Sequence, residues 1–235
     1  KGPRGSTPLH LACEEGSLEK VKFLLDNGAV ITRTNQKSQS CLFTALKNQP
    51  TFQFLIEYMK RETGIKSVFK QLLTRDDQTR TVLHICVEYE YAESLQYLID
   101  FLKQESLPLH KELLNEKEQL FGNTPLHVAV NTNKFPLVQK LCGTNVVDVN
   151  AQSNNGNTPL HLAIDNKNQL LAQYLTFVQK SNTKVKNNNK LTALQMAKNN
   201  KIDLTVFSMA DQCGVDPKAY ANATTKVAFC GCFGA

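Results

Sequence analysis

The sequence lacks several features that define large classes of proteins. No stretch of its 235 residues approaches the roughly 18 consecutive apolar residues that a membrane-spanning helix needs, so we expect a soluble body. It contains no glycine-rich phosphate loop, no metalloprotease helix and no EF-hand loop. The seven cysteines are an odd number without disulfide-like spacing. This pattern favours a reducing compartment, so we expect a cytoplasmic protein, with the nucleus as the alternative.

A repeated tetrapeptide dominates what the sequence does contain. Thr-Pro-Leu-His occurs three times intact, and degraded copies occur three more times. The six equivalent sites begin at Thr7, Ser40, Thr81, Thr124, Thr158 and Thr192. Their spacings are 33, 41, 43, 34 and 34 residues, and a fixed period of this length is typical of repeat architectures.

These motifs resemble those of the ankyrin-repeat family over nearly the whole chain. The resemblance implies an all-α solenoid of stacked helix-turn-helix units with hairpin fingers. In each unit the threonine suits a helix N-cap and the proline suits the first helical position. We expect a repeat domain over residues 1–214, with a polar sixth repeat as its cap. Residues 215–235 are then either a capping tail or the start of a further domain.

The five histidines are the first residues to consider as catalytic groups, because histidine is the commonest general acid or base. In the resembling family the motif histidine bonds back to the threonine and to the neighbouring repeat, which implies structural roles for His10, His84, His127 and His161. The fifth, His110, has no cysteine or serine at a recognisable catalytic spacing. We therefore expect no enzymatic activity, no cofactor and no metal site.

Two spacings exceed the family period, and both extra segments follow a second helix. The segments Ile65 to Leu73 and Leu107 to Leu114 are predicted to be short amphipathic helices. Because successive units stack in the same orientation, the two insertions should project side by side from one edge. Their apolar faces pack on the stack, and their polar faces are either solvated or contact a partner. The candidate outward residues are Lys66, Lys70, Arg75, Arg80, Lys111, Glu112 and Glu116.

The finger tips are the second candidate surface, near Asn35, Asn123, Asn155 and Asn188, of which Asn123 and Asn155 are candidate partner contacts. Beyond them, residues 167–201 contain seven lysines and no acidic residue. These lysines either form a solvated face or meet an acidic protein surface, RNA phosphates or an anionic membrane. The interval has no arginine and only two aromatic residues, both in a helix-core phase, which argues against nucleic acid.

Two residues are candidates for modification. Asn150 lies in a segment similar to the family's finger, where asparagines can be substrates of a cytosolic asparaginyl hydroxylase; the alternative is a turn-forming asparagine. Cys232 is fourth from the end, as in a prenylation signal, although Gly234 is poor at an aliphatic position. The alternatives there are half of a metal pair with Cys230, or a place in a capping tail or the beginning of another domain over Ala219 to Ala235.

The resemblance implies a non-enzymatic interaction module. We expect a scaffold or adaptor, monomeric, that binds a partner protein through its concave groove, its fingers and the two insertions. Membrane contact is expected only through a C-terminal lipid. Two alternatives stay open: a targeting arm of a larger enzyme or secreted bacterial effector, and a lipid-anchored adaptor.

Overall fold

The computed structural model describes residues 2–105 and 109–200, and in these ranges the chain is all-α. A single isolated bridge between Lys186 and Thr192 is the one β-type pairing there. The α-helices, in chain order, are α1 Pro8–Glu15, α2 Leu18–Asp26, α3 Cys41–Ala45, α4 Gln49–Thr63, α5 Ile65–Leu72, α6 Val82–Glu88, α7 Ala92–Gln104, α8 Leu109–Asn115, α9 Pro125–Asn131, α10 Phe135–Cys142, α11 Pro159–Asp165, α12 Gln169–Gln173 and α13 Ala193–Asn199. None of the described helices is both long and apolar enough to cross a membrane.

Every predicted motif start is the N-cap of a first helix. The six caps have φ between −76° and −86° with extended ψ, immediately before α1, α3, α6, α9, α11 and α13. The hydroxyls of Thr7, Thr124, Thr158 and Thr192 accept the backbone N–H three residues later, which satisfies an otherwise unpaired helix donor. The capping chemistry expected from the sequence is confirmed at these four positions, whereas the Ser40 side chain makes no cap hydrogen bond.

The helices form pairs, and the pairs stack. First helices pack on one another in the order α1, α3, α6, α9, α11, α13, and each of α2, α4, α7, α10 and α12 packs on its own first helix. One apolar cluster runs through the stack from Leu9 to Ala197. A unit that cannot bury its apolar face alone is thus stabilised by its neighbours.

The apolar spacing predicts second helices over Phe52 to Met59 and over Leu170 to Phe177, and the structure differs from both. In the second repeat, α4 begins three residues earlier, at Gln49, because Asn48 caps the N–H of Thr51 at 3.1 Å and Pro50 occupies the first turn. In the fifth repeat, the helix is α-helical only to Gln173 and continues as a π-helix over Tyr174–Val178.

Both insertions contain the predicted short helix. Gly64, with φ of 78°, ends α4 and separates it from α5. Helix α5 buries Val68, Phe69 and Leu72, while α8 contributes Leu113 and Leu114 to the same cluster. The apolar stripes therefore pack on the stack, as expected.

Candidate protein-interaction surface

The motif histidines are buried inside the joints between repeats. In the fourth repeat, His127 Nδ1 lies 2.8 Å from the Thr124 hydroxyl and accepts the Thr124 N–H at 3.2 Å, while Nε2 lies 3.0 Å from the Asn157 carbonyl oxygen. That carbonyl belongs to the residue directly before the next N-cap. Each histidine therefore fixes two helix entrances at once. The same arrangement joins His10 to Gln39, His84 to Asn123 and His161 to Leu191.

The geometry also defines the tautomer. A carbonyl oxygen only accepts, so Nε2 must carry the proton, and the threonine N–H requires a lone pair on Nδ1. A second proton would place two donors face to face. Burial lowers the pKa of His84 and of His127 to about 4, and burial also lowers the pKa of His161. These rings stay neutral near pH 7 and are fully occupied by structural bonds.

The sixth repeat keeps the capping half of this joint without a histidine. Gln195 Oε1 accepts the Thr192 N–H at 2.9 Å and so completes the capping box from the same position. In the second repeat the position is Phe43, a buried apolar side chain that cannot form the hydrogen bonds of an imidazole.

The junction between the second and third repeats is held instead by contacts of their second helices, α4 and α7. Phe52 and Tyr97 meet edge to face with ring centroids 6.1 Å apart, and the Tyr97 hydroxyl donates to Glu57 at 3.0 Å. The buried Ser94 hydroxyl donates to the Leu46 carbonyl at 2.7 Å. Lengthened second helices thus replace the missing histidine bond.

The two insertions lie side by side and are joined by charge. The Arg75 guanidinium pairs with the Glu116 carboxylate and donates at 2.8 Å to the carbonyl oxygens of Thr79 and Lys117. Nearby, Lys60 on α4 pairs with Glu105 after α7 at 2.5 Å. The side chains of Arg75 and Glu116 are each about one quarter exposed, so the two charges interact mainly with each other. The exposed candidates on this edge are Lys66, Lys70, Lys111 and Glu112.

The prediction that Arg80 is an outward residue is wrong, because its side chain turns toward a buried carboxylate. Its side chain is 15% exposed and forms ion pairs of 2.7 Å with the fully buried Asp76 carboxylate and with Glu88. Asp76 in turn accepts the N–H groups of Gln78 and Arg80. Arg80 is the counter-ion of a buried turn, a role that a charge on an insertion does not reveal in the sequence alone.

The fingers are tight turns closed by an internal side chain. In the finger 35–39 the Asn35 amide oxygen accepts the N–H groups of Lys37 and Gln39, and Asp76 and Asn187 repeat this role in theirs. Backbone bonds join neighbouring fingers, for example Asn154 N–H to the Phe121 carbonyl at 2.8 Å. The fingers form one hydrogen-bonded row.

One finger differs from the others. The finger 118–123 closes over one residue more, from the Glu118 N–H to the Asn123 carbonyl, and Glu118 replaces the asparagine or aspartate. Its tip carries Leu120 and Phe121, whose exposed fractions are 65% and 58%. The apolar tip was not among the predicted contacts, although Leu120 and Phe121 stand directly before Gly122 in the sequence.

The candidate finger asparagines occupy different environments. Asn123 is half-buried and its carbonyl is bound to His84, whereas Asn155 is exposed and its carbonyl accepts the Asn188 N–H at 3.0 Å. The half-buried Asn150 accepts the Asn182 N–H on its side-chain oxygen at 2.7 Å. Cys232 lies outside the described residues, as does the rest of the tail, and the side chain of His110 is not described either.

Metal and thiol chemistry find little support in the part of the chain that the structure describes. No group of three or more histidine, cysteine or acidic side chains is placed to hold a metal there. The thiols Cys13, Cys41, Cys86 and Cys142 are free and buried. Burial raises the pKa of Cys142 to about 12, so that thiol stays protonated.

The stacked helix pairs, their fingers and the histidine joints define a helical solenoid repeat protein. Family models confirm this class: "Ankyrin repeats (3 copies)" matches residues 9–107, "Ankyrin repeats (many copies)" matches 113–163, and "Ankyrin repeat" matches 155–188. The chain belongs to the ankyrin-repeat family.

Solved structures share the fold at low identity. One chain of the complex of the Bd0816 predatory endopeptidase from Bdellovibrio bacteriovorus with immunity protein Bd3460 superposes with a TM-score of 0.65 at 21% identity, covering 87% of this chain and 98% of that one. The ankyrin repeat domain of Bcl-3, a member of the IkappaB protein family, gives 0.56 at 21% identity, covering 88% and 99%.

Two curated relatives are much longer than the region they share with this chain. A homologue of transient receptor potential cation channel subfamily A member 1 from Caenorhabditis elegans is 25% identical over 138 residues, 58% of this chain but 10% of the relative. The ankyrin repeat protein FPV022 of fowlpox virus (strain NVSL) is 27% identical over 149 residues, 55% and 25% respectively.

Proposed function

We propose that this chain is a scaffold or adaptor module that binds a partner protein through its fingers, its groove and the edge formed by the two insertions. Ankyrin repeats are generally protein-interaction modules without catalytic activity. The observation that carries the proposal is the use of all four motif histidines as buried joints, which leaves exposed tips and charges as the available chemistry. We also propose a monomer in the cytoplasm, a repeat domain over 1–214 and a tail over 215–235.

The test is affinity capture from cell extract with the wild-type chain and a variant carrying charge reversals at Lys66, Lys70, Lys111 and Glu112. These four side chains are exposed, so the variant should fold normally. Loss of a partner by the variant would support binding at the insertion edge. Equal capture would exclude that edge and leave the groove and finger tips. Absence of any captured protein by both chains would contradict the function itself.

A second candidate is supported by the relatives' lengths. Because the shared region is a small part of each, the chain could act as the recognition arm of a larger protein. The length of the native reading frame decides this: a reading frame that continues into a catalytic domain supports it, and one without such a domain argues against it.

A further inference from the structure

We infer that the row of finger tips from Leu120 to Lys190 is a docking site for an acidic protein segment that carries an apolar anchor residue. This inference rests on the proposed function and specifies its partner. It combines an exposed apolar tip, a rigid support beneath that tip and an unpaired field of lysines beside it.

The apolar tip is exposed although it has neighbouring fingers on both sides. Of the other large exposed apolar residues, Leu11, Phe23 and Val30 lie on the first described repeat, at the end of the stack. The Tyr89 ring stacks on Tyr91, and Leu170 is a single exposed side chain on a second helix. Leu120 and Phe121 lie in the middle of the row and still expose more than half of their surface. Exposed aromatic and aliphatic side chains in such a position are typical anchors of protein interfaces.

The tip is held in one conformation. The Glu118 carboxylate accepts the N–H groups of Leu120 at 2.6 Å, Phe121 at 2.9 Å and Asn123 at 2.9 Å. Gly122 has φ of 68°, and a Cβ there would lie 2.2 Å from the side-chain oxygen of Asn154 on the next finger. A tip fixed before binding loses little conformational entropy when a partner docks on it.

The next two fingers extend the surface toward positive charge. Asn154 bonds to Phe121, and Asn188 bonds to both Asn154 and Asn155, so the three tips are contiguous. The last finger carries the exposed lysines Lys184, Lys186 and Lys190. None of these three lysines takes part in an ion pair within the described residues.

The excess positive charge lies in the part of the sequence that contains these three fingers. Residues 119–200 contain eight lysines, no arginine and two aspartates, whereas residues 1–118 contain 16 basic and 16 acidic residues. A one-signed field beside an apolar anchor steers and orients a segment of opposite sign. The partner is therefore an acidic protein segment, since Phe121 is the single exposed aromatic ring described in this region and cannot form a stacking platform for RNA bases.

The test is selection of binders from a random linear peptide library displayed on phage, with the wild-type chain as bait. We expect the selected peptides to combine an aromatic or leucine residue with a cluster of acidic residues. Their affinity, measured by fluorescence anisotropy, should fall at least about tenfold for the double variant Leu120→Ser, Phe121→Ser. It should also fall at least about tenfold, with loss of salt dependence, for the triple variant Lys184→Gln, Lys186→Gln, Lys190→Gln.

Two matched controls keep the outcomes distinct. Leu170→Ser removes another half-exposed apolar side chain, and Lys66→Gln, Lys70→Gln, Lys111→Gln removes three exposed charges from the insertion edge; both should leave affinity unchanged. Peptides lost only in the insertion-edge control would overturn this inference and keep the proposed function. A library that yields no peptide for any variant would count against both.

Other occupants give their own signatures. Binding of homopolymeric RNA or of phosphatidylserine vesicles that depends on the lysines but not on Phe121 would overturn the assignment of a protein partner. Self-association that Phe121→Ser abolishes would mean that a second copy occupies the tip. Equal thermal unfolding of all variants by circular dichroism is required for each comparison.

Discussion

The part of the chain up to residue 118 and the part after it differ in repeat period, in their insertions and in charge. In residues 1–118 the repeat period is broken by two insertions, one junction lacks its histidine, and 16 basic residues are balanced by 16 acidic residues. Six of the seven described ion pairs lie wholly within this region, and the seventh joins Lys134 to Glu90. In residues 119–200 the period is regular, histidines hold the junctions, and eight lysines remain against two aspartates. The region with the regular period therefore carries the excess of positive charge, whereas the region with the insertions is balanced.

Lowering the pH should give the largest change in stability, because each of the two regions contains a buried histidine with a lowered pKa. His84 and His127 have pKa values of about 4 when folded and 6.5 when unfolded, so the unfolded chain binds more protons between these pH values and stability falls as pH falls. From pH 7 to pH 5 the two rings together should cost about 4 kcal/mol of unfolding free energy. Urea unfolding at pH 7, 6 and 5 measures this. In His84→Gln and His127→Gln the dependence should be about halved, and a wild type equally stable at pH 7 and 5 would contradict it.

Removing Arg80 should come next in size. Arg80→Ala leaves the fully buried Asp76 carboxylate without its counter-ion, which should cost about 3 kcal/mol of unfolding free energy. The matched control is Arg61→Ala, whose side chain is 70% exposed and should change stability by less than about 0.5 kcal/mol. Equal losses in the two variants, measured by urea unfolding, would mean that the buried pair is not structural.

A histidine joint in the regular region should be worth somewhat less. His127→Ala leaves the Thr124 N–H and the Asn157 carbonyl without their partner and should cost about 2 kcal/mol. His127→Gln should cost about half of that, since Gln195 shows that a glutamine completes the capping box in the sixth repeat. Differential scanning calorimetry compares the two variants, and a glutamine variant less stable than the alanine variant would argue against the joint.

The pair that joins the two insertions should give the smallest effect. A double-mutant cycle of Arg75→Ala and Glu116→Ala should yield a coupling of about 0.5 kcal/mol, because both side chains keep partial contact with water. The coupling should shrink at high salt. A coupling unchanged by salt would indicate that the pair is less solvated than its exposure implies.

The sequence predicted what is local and periodic. The Thr-Pro-Leu-His motif contains its own cap, so the helix starts followed from it, whereas the structural role of the histidines was implied by the resemblance to the ankyrin-repeat family. Both predictions are confirmed. The insertions were recognised as amphipathic helices for the same reason, because their apolar residues recur at helical spacing.

What depends on packing between repeats was not predictable. Whether Arg80 faces water or Asp76 depends on how the finger 76–80 closes, and the sequence offers several equivalent charges. The early start of α4 depends on Asn48, which only the structure shows to be a cap. The apolar finger tip was detectable in principle, since Leu120 and Phe121 stand just before Gly122, where the two neighbouring fingers carry polar residues.

Long-range proton–nitrogen NMR of the imidazole rings tests most directly the central claim that the motif histidines are joints. We predict that His84 and His127 show the Nε2–H tautomer at pH 7 and remain neutral when the pH is lowered to 5. Rings that titrate near their ordinary pKa of 6.5, or that show the Nδ1–H tautomer, would contradict it.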